Sequence, residues 1–461
     1  MNHVAAAPDP PRAAYAALLA CTTLGTLAST IISAPINVIA HAIGASPRGI
    51  VLAVSAFTLA MVLCAPLSGW MCQRFGSRQV LGWSLLLMVA AQAGAAFSQD
   101  LAFLVVMRAL QGVACSAIPP AVQQVLGRHW ARHRARAMAG WAAAMGVGQS
   151  LGPPLGGLVA DALGWRWVFL THAALSLVLL VLCLTVVPAV AGASAPLHAS
   201  GMATLTIGIG ALVGAVSWLG QHGSPWAAVG FAAVGVLALV WHRRLGRTEA
   251  GPFIPAGLVA ERRYVASTAA ACAVMSCLGV AIVATPLHLG RDQGLGPGAI
   301  GAVMLTLALA MTLAAPLSSR ITERFSTERS LLGGLLLLGA GFVALLLVVE
   351  AVPHDLAVPA AVVALALTGS AIGVVQAAAG HGLMTSPAAG SGVALGLHNT
   401  LRFAGLAVGY SWVAIAYPTG LLALVYGVPV VLVAGTSLLA RNRIRAASAE
   451  PVSPTSERLI P

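Results

Sequence analysis

The segment APLSGWMCQRFGSRQVLGWSL, residues 65–85, returns in altered form as APLSSRITERFSTERSLLGGL at residues 315–335. The copies share the opening Ala-Pro-Leu-Ser and a central Arg-Phe pair at one constant spacing, and they differ where Gln73 of the first matches Glu323 of the second. Self-similarity at a fixed spacing marks an internal repeat. The chain is therefore predicted to contain two related halves, each with one copy of the segment.

The composition shows in which solvent those halves fold. Hydrophobic residues make up 59% of the 461 residues and charged residues only 8%, against roughly 45–50% and about 25% in soluble domains. The apolar residues fall into runs of about 20, the length that an α-helix needs to cross a hydrocarbon core of about 30 Å. These features predict an all-α polytopic membrane protein in contact with the lipid bilayer.

The residue types present exclude several classes of function. The seven cysteines lie in or beside apolar runs, without the spacing of a metal site or a disulfide framework. No nucleophile can be matched with a base and an acid on any predicted face. The basic residues, all of them arginine, form no patch interleaved with aromatic residues on a soluble domain. We expect no enzyme activity, no cofactor, no metal and no nucleic-acid partner.

The apolar runs predict fourteen transmembrane helices in two bundles. The runs lie at residues 14–42, 49–71, 79–98, 101–125, 136–160, 166–188, 201–220, 225–242, 264–288, 297–318, 330–350, 356–380, 391–416 and 420–440. The repeat assigns spans 1–6 and 9–14 to two parallel six-helix repeats, with spans 7 and 8 as an inserted pair. The predicted division is a tail at 1–13, a first bundle at 14–190, the inserted pair at 191–246, a linker at 247–263, a second bundle at 264–440 and a tail at 441–461.

The arginines predict the orientation in the membrane. Most of the 24 basic residues fall in alternate connections and in the two tails, whereas Arg48, Arg166 and Arg291 lie in connections on the other side. Basic residues are enriched on the cytoplasmic side of membrane proteins. We therefore expect both termini in the cytoplasm.

Three motifs stand at particular spans. The loop GWMCQRFGSR joins spans 2 and 3, LVVMRALQGVA lies in span 4, and GQSLGPPLGG lies in span 5. Their distinctive residues are Gly69, Gln73, Arg74, Gly76 and Arg78 in the first, Arg108, Gln111 and Gly112 in the second, and Gly148, Gly152, Pro153, Gly156 and Gly157 in the third. The span 5 glycines leave one helix face without bulk, so that a neighbouring helix can approach closely. The proline beside them can bend the helix.

These motifs resemble those of the major facilitator superfamily. Fourteen spans, the GWRWVF that opens span 6 and the NTLRFAGLAVG of span 13 are similar to the drug:proton antiporters of that superfamily. The resemblance implies a monomeric transporter in the bacterial inner membrane. Its substrate site would lie near the midplane between two bundles that rock to expose it to either side.

The superfamily's loop between spans 2 and 3 carries an acid, which this chain replaces by Gln73. The second copy still has Glu323 and Arg324 at the equivalent places. One hypothesis is that Glu323 has taken over the role and pairs with Arg74 or Arg78. The alternative is an ordinary solvated loop acid, whose surface ion pair would contribute about 0–1 kcal/mol.

Two arginines inside spans raise the question of cavity residues. An unpaired arginine near a span centre costs at least about 2.5–3.5 kcal/mol, so Arg108 and Arg402 should face the bundle interior. Each side chain could contact substrate or help proton coupling. Each could instead be structural, with Arg108 bonded to carbonyls or to polar groups of span 1 such as Ser33 or Asn37.

Proton coupling requires a titratable group in the transport path, and no acid lies mid-span. The related antiporters have an acid in span 1 where this chain has Ala28. Histidine changes charge near neutral pH, and His398 lies one turn before Arg402 on the same helical face. His398 is the predicted coupling residue, with Asp161 as the second candidate, although a lone histidine in a span is often only a hydrogen-bonded packing residue.

A cavity with two arginines and no carboxylate cannot neutralise a permanent dication. The sequence therefore predicts export of neutral or weakly anionic amphipathic small molecules in exchange for protons. Polar lining is expected from Asn37, Gln111, Gln376 and Asn399. The alternative is uptake or facilitated diffusion of an organic anion on the same scaffold.

Overall fold

A computed structural model describes residues 12–45, 47–190, 192–193, 197–221, 223–248, 256–295 and 297–448. Sixteen α-helices occur within these ranges. They are α1 (Arg12–Thr30), α2 (Ile36–Ala42), α3 (Pro47–Phe75), α4 (Ser77–Ala96), α5 (Leu101–His129), α6 (Arg134–Leu163), α7 (Trp165–Val186), α8 (Ala199–Gly220), α9 (Pro225–Thr248), α10 (Ala256–Val259), α11 (Arg262–Arg291), α12 (Pro297–Phe325), α13 (Thr327–Glu350), α14 (His354–Thr385), α15 (Gly392–Ala416) and α16 (Leu422–Ser448). The predicted tails at 1–13 and 441–461 lie largely outside the described residues, as do residues 249–255 of the predicted linker at 247–263.

The described residues include twelve helices that are long and apolar enough to cross a membrane. The helices α6 and α15 are as long, at 30 and 25 residues, but glycine, arginine and other polar residues make them less apolar. The structure is thus all-helical with twelve to fourteen candidate membrane spans. The count of fourteen stays a prediction.

The first predicted span, residues 14–42, is not one helix. It is divided into α1 and α2 by a turn over residues 31–35. Pro35 stands immediately before α2 and cannot donate a backbone hydrogen bond. The continuous apolar pattern concealed this break.

The helices pack as two groups. One contains α1 and α3–α7, and the other contains α11–α16. Contacts between the groups run through α3 with α15 and through α6 with α12 and α14. The helix α8 packs on its neighbour α9 and on α3 and α15, so that it touches both groups.

Each copy of the repeated segment forms a sharp corner between two helices. In the first copy Gly76 alone separates α3 from α4, with φ of +91°. In the second copy Ser326 separates α12 from α13, with φ of +103°. Left-handed backbone of this kind favours glycine. Ser326 adopts it and accepts a hydrogen bond from the Arg329 N–H at 3.3 Å.

The glycines of the span 5 motif face α1. An added Cβ on Gly148 or Gly152 would overlap atoms of α1, and one on Gly156 would overlap Ile31 just after it, whereas one on Gly157 would meet Ala34 at an ordinary 3.5 Å. Pro153 lies inside α6 beside this face. In the second group, Gly405 and Gly409 of α15 lie equally close to Cys272 and Ser276 of α11. Close helix packing at glycine therefore occurs in both groups.

The termini of several helices are capped by side chains. Asp100 accepts a hydrogen bond from Phe103 N at 2.8 Å before α5, and Glu261 accepts from Arg263 N and Tyr264 N before α11. Ser391 accepts from Ala394 N at 3.2 Å before α15. These acceptors satisfy N–H groups that the first turn of a helix leaves unpaired.

Candidate transport site

Two adjoining spaces lie near the middle of the helices, between the two groups. The larger has a cavity volume of about 20 Å³ and is bounded by α1, α3, α5, α6, α11 and α15. The smaller, which is narrower still, is bounded by α6, α11, α14 and α15. Arg402 lines both. It is the eleventh residue of a 25-residue helix, which puts the shared wall near mid-span.

The Arg402 guanidinium lies close to two aromatic rings and has two nitrogens without hydrogen-bond partners among the described residues. Its Cζ lies 5.0 Å from the centre of the Trp141 ring and 4.8 Å from that of Phe403. Its Nη1 contacts the Met145 sulfur at 2.9 Å. Its Nε and Nη2 have no hydrogen-bond partner among the described residues, although the side chain is only 1% exposed. A buried arginine with two unused donors is costly, and such sites are typical of binding functions rather than of packing.

Further polar atoms around the smaller space also lack partners. Both amide atoms of Gln376 and the indole nitrogen of Trp141 are buried without a hydrogen bond among the described residues. His398 lies beside them, 1% exposed, with its Nδ1 2.9 Å from the Thr268 hydroxyl. Native proteins satisfy most buried polar groups. The concentration of exceptions at one place favours a site for a polar ligand group or for water.

No carboxylate occurs among the described residues that line either space. The larger space is lined mainly by apolar and weakly polar side chains, among them Met61, Met145, Met275 and Phe403. Methionine and aromatic side chains adapt to ligands of varied shape. The combined site therefore offers apolar surface, hydrogen-bond donors and one cation.

Arg108 lies elsewhere and uses two of its three guanidinium nitrogens, while its Nη2 has no hydrogen-bond partner among the described residues. Its Nη1 donates to the Ala28 carbonyl of α1 at 3.1 Å and to Gln111 Oε1 at 2.7 Å, and its Nε donates to the Ala53 carbonyl of α3 at 3.4 Å. Gln111 in turn donates to the Ala91 carbonyl of α4. Neither side chain lines the two central spaces. These bonds tie four helices of one group together, which favours the structural interpretation.

The motif's third residue, Gly112, lets α5 meet the backbone of α3 at Phe57.

Asn399 bridges the two groups instead of lining the spaces. Its Nδ2 donates to Gln123 Oε1 of α5 at 2.9 Å and to the Leu395 carbonyl at 3.0 Å. Both side chains are buried. Asn37 belongs to α2, and its side chain lies outside the described residues.

The groups meet closely at one end of the bundle. We call it the arginine-rich end, since it holds the α3–α4, α5–α6 and α12–α13 junctions with their arginines. There Gln73 Oε1 accepts a hydrogen bond from Gly392 N at 3.1 Å, at the first residue of α15. An added Cβ on Gly69 would overlap the Gly392 carbonyl oxygen. The two helices are thus in backbone contact at this end.

The expected pairing of Glu323 with Arg74 or Arg78 is wrong. Glu323 lies 3.8 Å from the Nε of Arg136, in the first turn of α6, while Arg78 donates to the Leu184 carbonyl of its own group. Glu323 of α12 contacts the first turn of α6, and Gln73 of α3 contacts the first residue of α15. In each copy of the repeated segment, the side chain at this position therefore contacts a helix of the other group. Arg74 and Arg324 are exposed, and Arg324 lies over the Phe325 ring at 5.4 Å.

Sequence reasoning missed the side chains that shape the Arg402 environment. Trp141, Met145 and Thr268 are contributed by helices far from α15 in the chain. The spacing of Trp141 and Met145, one turn apart on α6, was the available signal. No group of three or more metal-ligating side chains occurs among the described residues.

The fold and the polar site between two helix groups define a multi-pass membrane transporter. The family model of the Major Facilitator Superfamily matches residues 17–199 and 185–410, and the chain belongs to that superfamily. Its members are transporters and not enzymes.

Relatives and solved structures agree with this assignment. A provisionally named multidrug resistance protein, MdtD, of Escherichia fergusonii is 26% identical over 308 residues, which cover 66% of this chain and 65% of that protein. Its counterpart in Shigella flexneri serotype 5b matches to the same extent. The chain thus spans just under two thirds of the length of these relatives, and it resembles multidrug efflux transporters.

The fold is similar to that of two solved transporters. The human organic anion transporter MFSD10 superposes with a TM-score of 0.69 and 19% identity over 94% of this chain and 100% of its own. The proton:xylose symporter XylE superposes with a TM-score of 0.69 and 15% identity over 95% of this chain and 96% of its own.

Proposed function

We propose that this protein exports small amphipathic compounds, neutral or weakly anionic, by proton-coupled antiport with alternating access. The observation that carries the proposal is the carboxylate-free, donor-rich site around Arg402, between two helix groups that meet at the arginine-rich end. The similarity to multidrug resistance proteins supports a drug-like cargo.

The remaining parts of the proposal concern topology. The chain would have fourteen spans in two six-helix repeats with α8 and α9 inserted, divided as the sequence predicts. It would lie in the bacterial inner membrane as a monomer. The arginine-rich end and both termini would face the cytoplasm, since arginine is enriched there.

His398 is the proposed coupling residue. It is the one histidine lining either space among the described residues, and a histidine can gain and lose a proton near neutral pH. A proton on His398 would stand one helical turn from the Arg402 charge, where cargo also binds. Proton and substrate would therefore act on the same polar cluster. Asp161 is exposed near the C-terminal end of α6, away from the arginine-rich end. His398 is therefore the better candidate.

The test is ligand-driven proton movement in proteoliposomes that contain the purified protein and an imposed pH gradient. Matched cationic, neutral and anionic amphiphiles would be added to wild type, to His398→Ala and to the control His381→Ala, whose histidine bonds to Thr327 away from both spaces. We expect proton flux with the neutral and anionic compounds, lost in His398→Ala and retained in His381→Ala. Flux with cationic dyes alone, unchanged in His398→Ala, would contradict the proposal.

An organic anion carried without proton exchange is the second candidate. The two free donors of Arg402 favour it, and a structural neighbour is an organic anion transporter. Substrate movement that continues without any proton flux would select this candidate over the antiporter.

A further inference from the structure

We infer that the open edge of Arg402 is a docking subsite for the carboxylate of an amphipathic monoanion, whose apolar part occupies the larger space. This inference rests on the proposed function, because it treats the central spaces as the place where cargo binds. It adds the chemical group that is recognised and the atoms that recognise it.

The orientation of the guanidinium singles out one edge. The rings of Trp141 and Phe403 lie close to the guanidinium, with their centres 5.0 and 4.8 Å from Cζ. Nη1 is directed to the Met145 sulfur. The unpartnered nitrogens are Nε and Nη2, whose N–H groups lie side by side along one edge of the guanidinium. Two parallel donors of this kind match the two oxygens of one carboxylate.

The surroundings supply further donors but no competing anion. The Trp141 indole N–H and the Gln376 amide are buried, lack partners among the described residues, and line the same smaller space as Arg402. No aspartate or glutamate lies among the described lining residues. A carboxylate entering this space would meet one full positive charge and neutral donors. A monoanion is favoured over a dianion, because the site has only one such edge.

The apolar part of the ligand has a place on the other side of Arg402. The larger space contains Met61, Ile118, Met275 and Leu406, with Arg402 in its wall. A ligand with one carboxylate and a compact apolar body would span the wall between the two spaces once the helix groups move apart, because the larger space has a cavity volume of only about 20 Å³ in this structure. Neutral compounds would use the apolar surface alone and bind more weakly.

The experiment measures binding by isothermal titration calorimetry to the full-length protein in lipid nanodiscs. The probes are 1-naphthaleneacetate, the neutral 1-naphthaleneacetamide and the cationic 1-naphthylmethylamine, which keep one aromatic body and change the head group. We expect the acid to bind wild type at least tenfold more tightly than the amide, and the amine not to bind.

Variants assign the effect to the edge. Arg402→Gln should weaken acid binding at least tenfold and amide binding less than threefold. Arg402→Lys, which keeps the charge and loses the paired donors, should lie between wild type and Arg402→Gln. The control Arg320→Gln removes an exposed arginine of α12 and should change neither affinity. If Arg402→Gln does not fold, Gln376→Leu, which removes a neighbouring donor, should still weaken the acid selectively.

The outcomes separate this inference from the proposed function. Equal affinity for acid and amide in wild type, or acid binding that is unchanged in Arg402→Gln, overturns the subsite. If the amide then still drives proton exchange in proteoliposomes, the proposed antiport stands without it. Conversely, selective acid binding that depends on Arg402, together with an absence of proton exchange for every probe, supports the subsite and overturns the antiport.

Discussion

Gln73 of α3 and Gly392 of α15 are joined by a 3.1 Å hydrogen bond, although they are 319 residues apart in the sequence. The side-chain oxygen of Gln73 accepts from the first N–H of α15, a group that no intrahelical carbonyl can satisfy. The neutral amide of Gln73 therefore binds the N-terminus of α15, and at the position of Gln73 the superfamily's motif has an acid. The contact links the two helix groups at the arginine-rich end.

Replacing Gln73 by glutamate should strengthen this contact. Glutamate has the same reach and adds a negative charge at a helix N-terminus, an arrangement that contributes about 0.3–1 kcal/mol. Gln73→Leu, of similar size, should remove about 0.5–1.5 kcal/mol with the hydrogen bond. Thermal unfolding of the purified variants in one detergent should order them as Glu above Gln above Leu. Equal unfolding temperatures for Gln73→Leu and wild type would mean that the hydrogen bond contributes nothing to stability.

Gly69→Ala should disfavour closure of the arginine-rich end. The added methyl group would overlap the Gly392 carbonyl oxygen, and overpacking of this kind costs about 1–3 kcal/mol. We expect slower transport in proteoliposomes. The matched control is Gly333→Ala in α13, where an added Cβ meets no atom within 4 Å. Wild-type transport in both variants would show that the α3–α15 contact is not needed.

Substitutions at Gly76 and Ser326, the two corner residues of the repeated segment, should change the stability of the protein in opposite directions. Gly76→Ala should destabilise the protein, since φ is +91° and the new Cβ would overlap the Val190 carbonyl oxygen. Ser326→Gly should stabilise the protein. A residue other than glycine at φ of +103° and ψ of +156° is strained by about 1–3 kcal/mol, whereas replacing a serine N-cap by glycine costs only about a few tenths of a kcal/mol. The measurement is the midpoint of thermal unfolding. A fall with Ser326→Gly would mean that the cap outweighs the strain.

Asn399 and Gln123 should be energetically coupled. Each buried side chain loses a partner when the other is changed to leucine, and a buried unsatisfied polar group costs about 1–3 kcal/mol. The double variant should therefore be less destabilised than the sum of the two single variants, with a coupling of about 0.5–3 kcal/mol. A double-mutant cycle on unfolding measures it, and strict additivity would exclude the bridge between the groups.

Glu323→Gln should have little effect on stability. The Glu323 and Arg136 side chains are 48% and 69% exposed at a separation of 3.8 Å, and exposed pairs contribute about 0–1 kcal/mol. We expect an unfolding midpoint close to that of wild type at both low and high salt. A large loss that salt abolishes would show a stronger electrostatic role at the start of α6 than this geometry indicates.

The sequence was sufficient to predict the helices, because apolar runs of membrane length leave few other structures possible. It was also sufficient to locate Arg402 and His398 on one face, since four-residue spacing in a helix fixes that relationship. The break after Thr30 was missed because four of the five residues of the turn are apolar. The partners of Glu323 and Arg402 were missed because they depend on how helices far apart in the chain are placed side by side.

The helix α8 carries a mechanical consequence. Ser411 of α15 donates to Ser217 of α8 at 3.2 Å, and Gln221, the residue that follows α8, donates to Ser55 of α3 at 3.3 Å. A rigid helix attached to two helix groups that move apart can move with only one of them. If α3 and α15 separate in alternating access, one fastening must release in every cycle and form again on return. Each attachment combines one hydrogen bond, with a net value of about 0.5–1.5 kcal/mol, with the packing of α8 on that helix. The weaker of the two attachments would therefore determine which half α8 separates from.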